Sequence, residues 1–478
     1  MKLSEYADLD GISLAAAMLR GDYSRSEVIE CAIDAVEQLN PRFNAVVMKN
    51  YENALATADS TFVGPLVGVP FLIKDVNVFT RDMPTTFSCR FFDGVETRSD
   101  SEIVRRWREA GLVILGKTNT PEFAEDYVCE PTFRGPTLNP WDTTMTTGGS
   151  SGGAGAAVAS GMVAIAHGTD LGGSIRIPAA CCGVYGFKPT TGLNPVDSSQ
   201  AELSCGFNSD HVLTRSVRDS AAALDITAKP IPGHRYQVNR AVPSFLDCLG
   251  DPLPILRIGI CTKTPVGEQT PQRQQDAVKK AGELLAESGH EIVEYSYPHD
   301  LDFGNWVDIL WMFDVVYEME RRIAQVGRIP EPNELEALTH YILERIHASS
   351  AMDHYQSRLK AHQNSVRMMN SMVDLDLLLT PSLGSDPVAV GSFDSRTEAF
   401  DYDRWSAQGA AFAPFSYICN ITGQPAASLP VFLADDEPPC AVQLAGHSGQ
   451  DHRVLQVSAQ LEQNLNWQDR RPPIWVGD

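Results

Sequence analysis

Two glycine-dense turns, GGSSGG (148–153) and DLGGSIR (170–176), bracket the small-residue run AGAAVASGMVAIA, and no charged side chain occurs from Gly148 to Ala166. Such a stretch leaves few ways to fold. Its alanines favour helix, with Gly152 and Gly153 near the N-terminal end, so 148–166 reads as a loop followed by a helix. Glycine lets backbone approach another group closely and point its N–H groups at one spot. Clustered amides of that kind hold an oxyanion. Ser150 and Ser174, each beside glycines, are therefore placed to serve as nucleophiles if a base reaches them.

A base is available in PLVGVPFLIKD (65–75), a short valine- and proline-rich apolar run that reads as a strand and ends in Lys74-Asp75. Ser–Lys sets remove a serine proton without histidine, provided the lysine is neutral. An ordinary lysine, at about 10.4, is charged at pH 7, and burial lowers that by about 3–5 pH units. The apolar VGVPFLI leading into Lys74 supplies such surroundings. A second serine between lysine and nucleophile passes the proton along, which gives a use to both Ser150 and Ser174.

The remaining chain reads as α/β. Ser24 and Glu27 form a capping-box pair that opens a helix over 24–39, closed by Asn40-Pro41. A helix over 101–110 stops at Gly111 and feeds the strand 112–118; another helix spans 214–227. The stretch 228–255 is rich in proline and reads as an irregular connection. Beyond it come a strand at LRIGICT, a helix over 271–288 and a strand at HEIVEYSY. Residues 305–372 read as helical, a lid or flank. Strands follow at 374–382, 420–433 and 440–446, and a closing helix at 451–464. Alternating strands and helices imply a mixed, mostly parallel sheet covered by helices on both faces. The expected division is a helical N-terminal segment 1–60, a core 61–227 with the glycine turns, the connection 228–255, and the second half of the sheet over 256–478, together one domain.

Composition narrows the partners. The 478 residues carry 38 Lys+Arg against 61 Asp+Glu, a net charge of −23, which argues against nucleic acid and anionic membranes as partners. No run of 18 apolar residues and no basic-then-apolar leader occurs, so neither a spanning segment nor a signal peptide is expected. The ten cysteines show no CxxC spacing, which fits reduced thiols in a cytoplasmic protein. No HxxxH or HExxH spacing suggests a metal site, and no cofactor is expected.

These motifs together are similar to those of the amidase signature family. GGSSGG followed by GTDLGGSIRIPAACCGVYGFKPT (168–190) carries the resemblance, with GVPFLIKD, LGKTNTPEFA, TLNPWD, TRSVRD, LLLTP and ITGQPAASLP in register. RIGICTKTPVGE and LNWQDRRP look most like the 6-aminohexanoate cyclic dimer hydrolase branch. The resemblance implies the amidase signature fold and hydrolysis of the C–N bond of a small linear, cyclic or aryl amide through an acyl-enzyme. Carried over by position, Lys74 is the base, Ser150 the bridging serine in a loop with an unusual cis peptide, and Ser174 the acyl nucleophile. The backbone N–H groups of Leu171, Gly172, Gly173 and Ser174 line the oxyanion hole. Thr169, Asp170, Arg176 and Ser151 support them, Tyr127, Val128 and Cys129 wall the substrate pocket, and the assembly is a homodimer.

The chain departs from the family pattern at Thr147, where proline is common, and at 125–129, EDYVC, where small neutral residues are usual. Its SSQAELSCGFNSDHVLTR (198–215) lacks the serine-leucine-aspartate-glutamine string of glutamyl-tRNA amidotransferase A subunits, which disfavours transamidation. Hydrolysis of carbamates or esters by the same set, an amidotransferase subunit, and a non-catalytic binding protein stand as alternatives. Set against the active site are blander readings: Lys74 as a surface lysine paired with Asp75, and Trp311, Phe313, Tyr317 and Met319 as one face of a buried helix rather than a pocket wall.

Overall fold

The computed structural model describes all residues except 59, 61, 197–201, 237, 303, 435, 436 and 478, so part of the 198–215 stretch lies outside the described residues. Its eleven strands are β1 (Val46–Lys49), β2 (Pro70–Lys74), β3 (Val113–Thr118), β4 (Ile165–Asp170), β5 (Tyr185–Lys188) and β6 (Ser209–Thr214), then β7 (Arg257–Ile260), β8 (Glu291–Glu294), β9 (Leu377–Pro381), β10 (Ala426–Val431) and β11 (Cys440–Gly446). They form one sheet in the order β1-β3-β2-β4-β6-β5-β10-β11-β9-β7-β8. Strands from either side of the 228–255 connection meet where β10 pairs with β5. The sheet is mixed, as expected. Its parallel ladders lie in two blocks, β3-β2-β4 and β9-β7-β8, and the ladders between and outside them are antiparallel.

Helices cover both faces, and strand alternation shows how. Leu377 and Leu379 of β9 pack with the helices Gln272–Glu287 and Asp451–Leu465. Leu378 between them points the other way, to Met368 and Ile418 on the helices Ala351–Ser371 and Tyr417–Thr422. At the other end of the sheet, β2, β3 and β4 bury their apolar residues against helices Arg25–Phe43, Glu102–Glu109 and Gly152–Ala159.

The uncharged helix Gly152–Ala159 has every residue buried. A Cβ on Gly153 would lie 2.5 Å from the Asn119 backbone nitrogen and 2.6 Å from the Ala45 carbonyl oxygen, so only glycine permits this approach. The first long helix runs past its expected end at Asn40-Pro41 to Phe43. Proline there removes one donor in the last turns, and burial of Phe43 in the core outweighs that loss. Asn44, at φ 51°, closes the helix instead. Residues 305–372 divide into the helices Asp308–Trp311, Phe313–Val326, Ala337–His347 and Ala351–Ser371. Residues 420–422, expected in a strand, end the helix Tyr417–Thr422, because Gly423 at φ 73° closes a helical turn before β10 begins. No helix among the described residues is long and apolar enough to cross a membrane.

Candidate active site

Lys74 ends β2 in the middle of the parallel block, fully buried. Its Nζ donates to Ser150 Oγ at 2.7 Å and to Thr169 Oγ1 at 2.8 Å. Burial in apolar surroundings lowers the amine to about 7, against the charges of Cys129, Asp210, Asp170 and Glu125, which favour its protonation. Pairing with Asp75 does not occur. Asp75 faces away, to Lys117 at 3.3 Å and to the Thr86 amide at 3.0 Å, with both charged groups buried. The Lys74 amide donates to His167 Nδ1 at 3.3 Å, so the ring proton sits on Nε2, 3.1 Å from Asp210 Oδ1. Burial of His167 outweighs the pull of Asp210 and holds its value low.

Ser150 follows a cis Gly149–Ser150 peptide in the loop that enters the glycine–alanine helix. Ser151 ties this loop to β4 and to the second turn: its hydroxyl is 3.3 Å from the Thr169 carbonyl and amide, and its N–H donates to the Ser174 carbonyl at 3.1 Å.

The second turn wraps around a carboxylate. Burial acts to raise Asp170, but the charge and hydrogen bonds of Arg176, with Asn420, prevail and hold it at about 2. Arg176 Nη2 and Nε donate to its two oxygens at 2.7 and 2.9 Å, a fork geometry. The remaining Arg176 contacts go to the Ser416 carbonyl, Gln443 Oε1 and Asn420 Oδ1, each at 2.7 Å. Asp170 also accepts the Gly173 amide at 2.9 Å and the Ile175 amide at 3.2 Å. Gly173 was expected among the oxyanion donors; its N–H is engaged by Asp170 instead, because the turn closes on that carboxylate. At φ 128° and with a Cβ position 2.4 Å from Ser416 Oγ, Gly173 must be glycine. Leu171, Gly172 and Ser174 line the cleft.

Two chambers meet at Ser174. The larger, with about 1050 Å³ of empty space counting its open mouth, is walled by Tyr127, Trp306, Trp311, Tyr402, Trp405 and Tyr417. The smaller holds Ser150, Thr169, Asn77, Asn208 and Glu125. Ser150 and Ser174 thus open on one chamber, although the Ser174 hydroxyl makes no hydrogen bond among the described residues. Of the expected pocket wall only Tyr127 lines the cleft. Val128 and Cys129 are buried behind it, Val128 in the aromatic core and Cys129 against Thr137, because the chain turns inward after Tyr127. Trp311 reaches the cleft as well, whereas Met319 is core and Phe313 and Tyr317 are half-exposed.

Sequence reading missed the braces Asn420, Ser416 and Gln443 and the His167–Asp210 pair. Asn420 stands immediately before ITGQPAASLP, the one signal that pointed near it. All ten cysteines are free thiols.

The fold is of the α/β class, and its cleft brings a buried amine beside Ser150 in a chamber that Ser174 also lines. The family model for amidases matches residues 27–455, and the chain belongs to the amidase family. It is a hydrolase of amide C–N bonds and not a peptidase. A 6-aminohexanoate-cyclic-dimer hydrolase of Paenarthrobacter ureafaciens is 34% identical over 483 residues, covering 97% of this chain and 96% of its own length. Among solved structures, 6-aminohexanoate cyclic dimer hydrolase complexed with substrate superposes with a TM-score of 0.90 at 31% identity, over 98% of this chain and 99% of that one. A bacterial aryl acylamidase of the amidase signature family gives 0.86 at 26% identity, over 96% of each chain.

Proposed function

We propose that the chain hydrolyses small amides through an acyl-enzyme on Ser174, with Lys74 as base and Ser150 as relay. The observation that carries this is a fully buried Lys74 amine held 2.7 Å from Ser150, whose hydroxyl shares a chamber with Ser174. In its neutral form the Lys74 lone pair takes the Ser150 proton while an N–H stays on Thr169. Ser150 in turn takes the proton of Ser174, and Ser174 Oγ attacks the amide carbonyl. The two hydroxyls come within hydrogen-bond reach in the reacting complex, where such contacts tighten. The amides of Leu171, Gly172 and Ser174 hold the tetrahedral oxyanion, each worth about 2.7–4 kcal/mol. The proton returns through Ser150 to the leaving nitrogen, and water then releases the acyl group by the same relay.

The aromatic lining of the larger chamber suits an alkyl or aryl amide, as do the names of the two relatives. The test combines labelling of Ser174 by a fluorophosphonate with turnover of anilide, cyclic amide, carbamate and ester panels. Ser174→Ala is expected to lose labelling and at least about 10³-fold in kcat on every substrate cleaved. Retained turnover in that variant overturns the nucleophile. Cleavage of carbamates or esters alone overturns the amide substrate.

A further inference from the structure

The charged residues lining the two chambers are all acidic: Glu125, Asp126, Asp302, Asp308, Asp314 and Glu318, with no lysine or arginine among the described lining residues. Five of them have protein partners. Asp126 accepts from Trp405 Nε1 at 3.1 Å, Asp308 accepts from the Tyr402 hydroxyl, and Asp314 accepts from the Ser204 hydroxyl at 3.2 Å. Glu318 is forked by Arg98 at 2.6 and 3.1 Å, and Asp302 pairs with Lys360 at 3.2 Å. Among the described residues, Glu125 alone of these acids has neither a hydrogen bond nor an ion pair to its carboxyl, and it lines both chambers, at the junction where Ser174 stands.

Its position is held by the backbone. Phe123 and Ala124, directly before it, lie at φ 52° and 64°, a region that residues with a Cβ rarely adopt. Phe123 is fixed there by its N–H to the Phe87 carbonyl at 2.9 Å and by stacking on the Phe87 ring. Conformations of this kind persist where surrounding structure imposes them, and they gather at binding sites. Partial burial and the nearby Asp314 and Asp308 push the Glu125 carboxyl up to about 8, against the pull of Lys74. A carboxyl in that state gains from any arriving positive charge.

We infer that Glu125 is a specificity-determining residue that receives a protonated amine of the substrate, so that the preferred amides carry an ammonium group and those carrying a carboxylate are rejected. This rests on the amide-hydrolase reading above. An ammonium at the junction meets Glu125 directly and the acidic walls at longer range, and it finds no competing lysine or arginine in the lining. A substrate carboxylate meets only like charge. A methyl group in the same place leaves Glu125 without a partner. Ammonium recognition by one charge-assisted hydrogen bond corresponds to a preference of at least about tenfold.

The experiment compares kcat/KM for matched substrates on the full-length enzyme. In the acyl series these are 5-aminopentananilide, hexananilide and glutaric acid monoanilide; in the amine series, N-(2-aminoethyl)hexanamide and N-propylhexanamide. The ammonium member is expected to exceed its methyl isostere at least about tenfold in one series, with the carboxylate member poorest. Glu125→Gln is expected to bring that ratio close to one, and Glu125→Lys to invert the order of ammonium and carboxylate. Because each ratio is taken within one preparation, partial misfolding of a variant does not mimic the result. Hydrolysis without ammonium preference in either series, or a preference that survives in Glu125→Gln, overturns this inference and leaves the amide-hydrolase reading standing. No hydrolysis of any member, together with the Ser174 tests above, removes that reading itself.

Discussion

With Lys74 as the proposed base, its amine sets the pH at which this site is expected to work. An ordinary lysine at 10.5 is about 0.3% neutral at pH 8; one held at about 7 is about 90% neutral. Burial at the end of β2 thus raises the neutral form of this amine by about 300-fold at that pH. Measured on an uncharged anilide, kcat/KM should climb about tenfold per pH unit below pH 7 and level off above it. Repeating the profile in Glu125→Gln separates this limb from the carboxyl at about 8. Lys74→Arg, whose guanidinium stays protonated, should lose activity across the whole range.

The same lowering has a cost in stability, with a defined sign. The unfolded lysine holds its proton up to 10.5 and the folded one only to about 7, so stability rises with pH between those values and the full cost is present below 7. At about 1.4 kcal/mol per pH unit the cost is roughly 5 kcal/mol, and Lys74→Met should be more resistant to urea than the natural chain at pH 6. A rate profile flat from pH 6 to 10, or one still climbing at pH 10, refutes the reasoning.

Two further outcomes follow from the turns on either side of the small-residue helix. Gly153→Ala places a Cβ 2.5 Å from backbone that has no room to retreat, and a loss of about 3 kcal/mol is expected in urea unfolding. Arg176→Gln leaves Asp170 buried without its fork and should cost about 3–5 kcal/mol, with kcat falling as the 170–176 turn loosens. Asp170, at about 2 against an ordinary 3.8, contributes stability above pH 3.8 that is lost as the pH falls toward 2. In Arg176→Gln burial is no longer opposed by the guanidinium, so that acid-side loss should shrink or disappear, which acid titration of unfolding checks.

Local signals carried much of this structure. Ser24 and Glu27 make the expected capping box, and the helices near 102–109, 217–227 and 272–287 fall where periodicity puts them. Lys74 and Ser150 were legible because an apolar run and a glycine turn each leave a physical trace. The failures share a cause: they turn on packing and backbone geometry that the local residue types do not announce. Phe43 holds a helix beyond Pro41 because the core, and not the local chain, wants it. Gly173 is diverted by an acid three residues away that a distant Asn420 and Arg176 keep charged. Val128 and Cys129 lie on the far side of a wall whose direction is set by Phe123 and Ala124 at positive φ, and nothing in their own residue types announces that backbone. The unpartnered state of Glu125 is visible only once every neighbouring acid has been given its donor.

The opposite orientations of Lys74 and Asp75 have a consequence for how this enzyme can change. Neighbours along a strand face opposite ways, so a shift of one position in β2 would exchange the two. The acid, now neutralised by Lys117 on its own side, would then stand beneath Ser150, and the amine would be stranded among Thr85 and Thr86. Single-residue insertions or deletions between Pro70 and Lys74 are therefore closed to this lineage in a way that most side-chain replacements there are not.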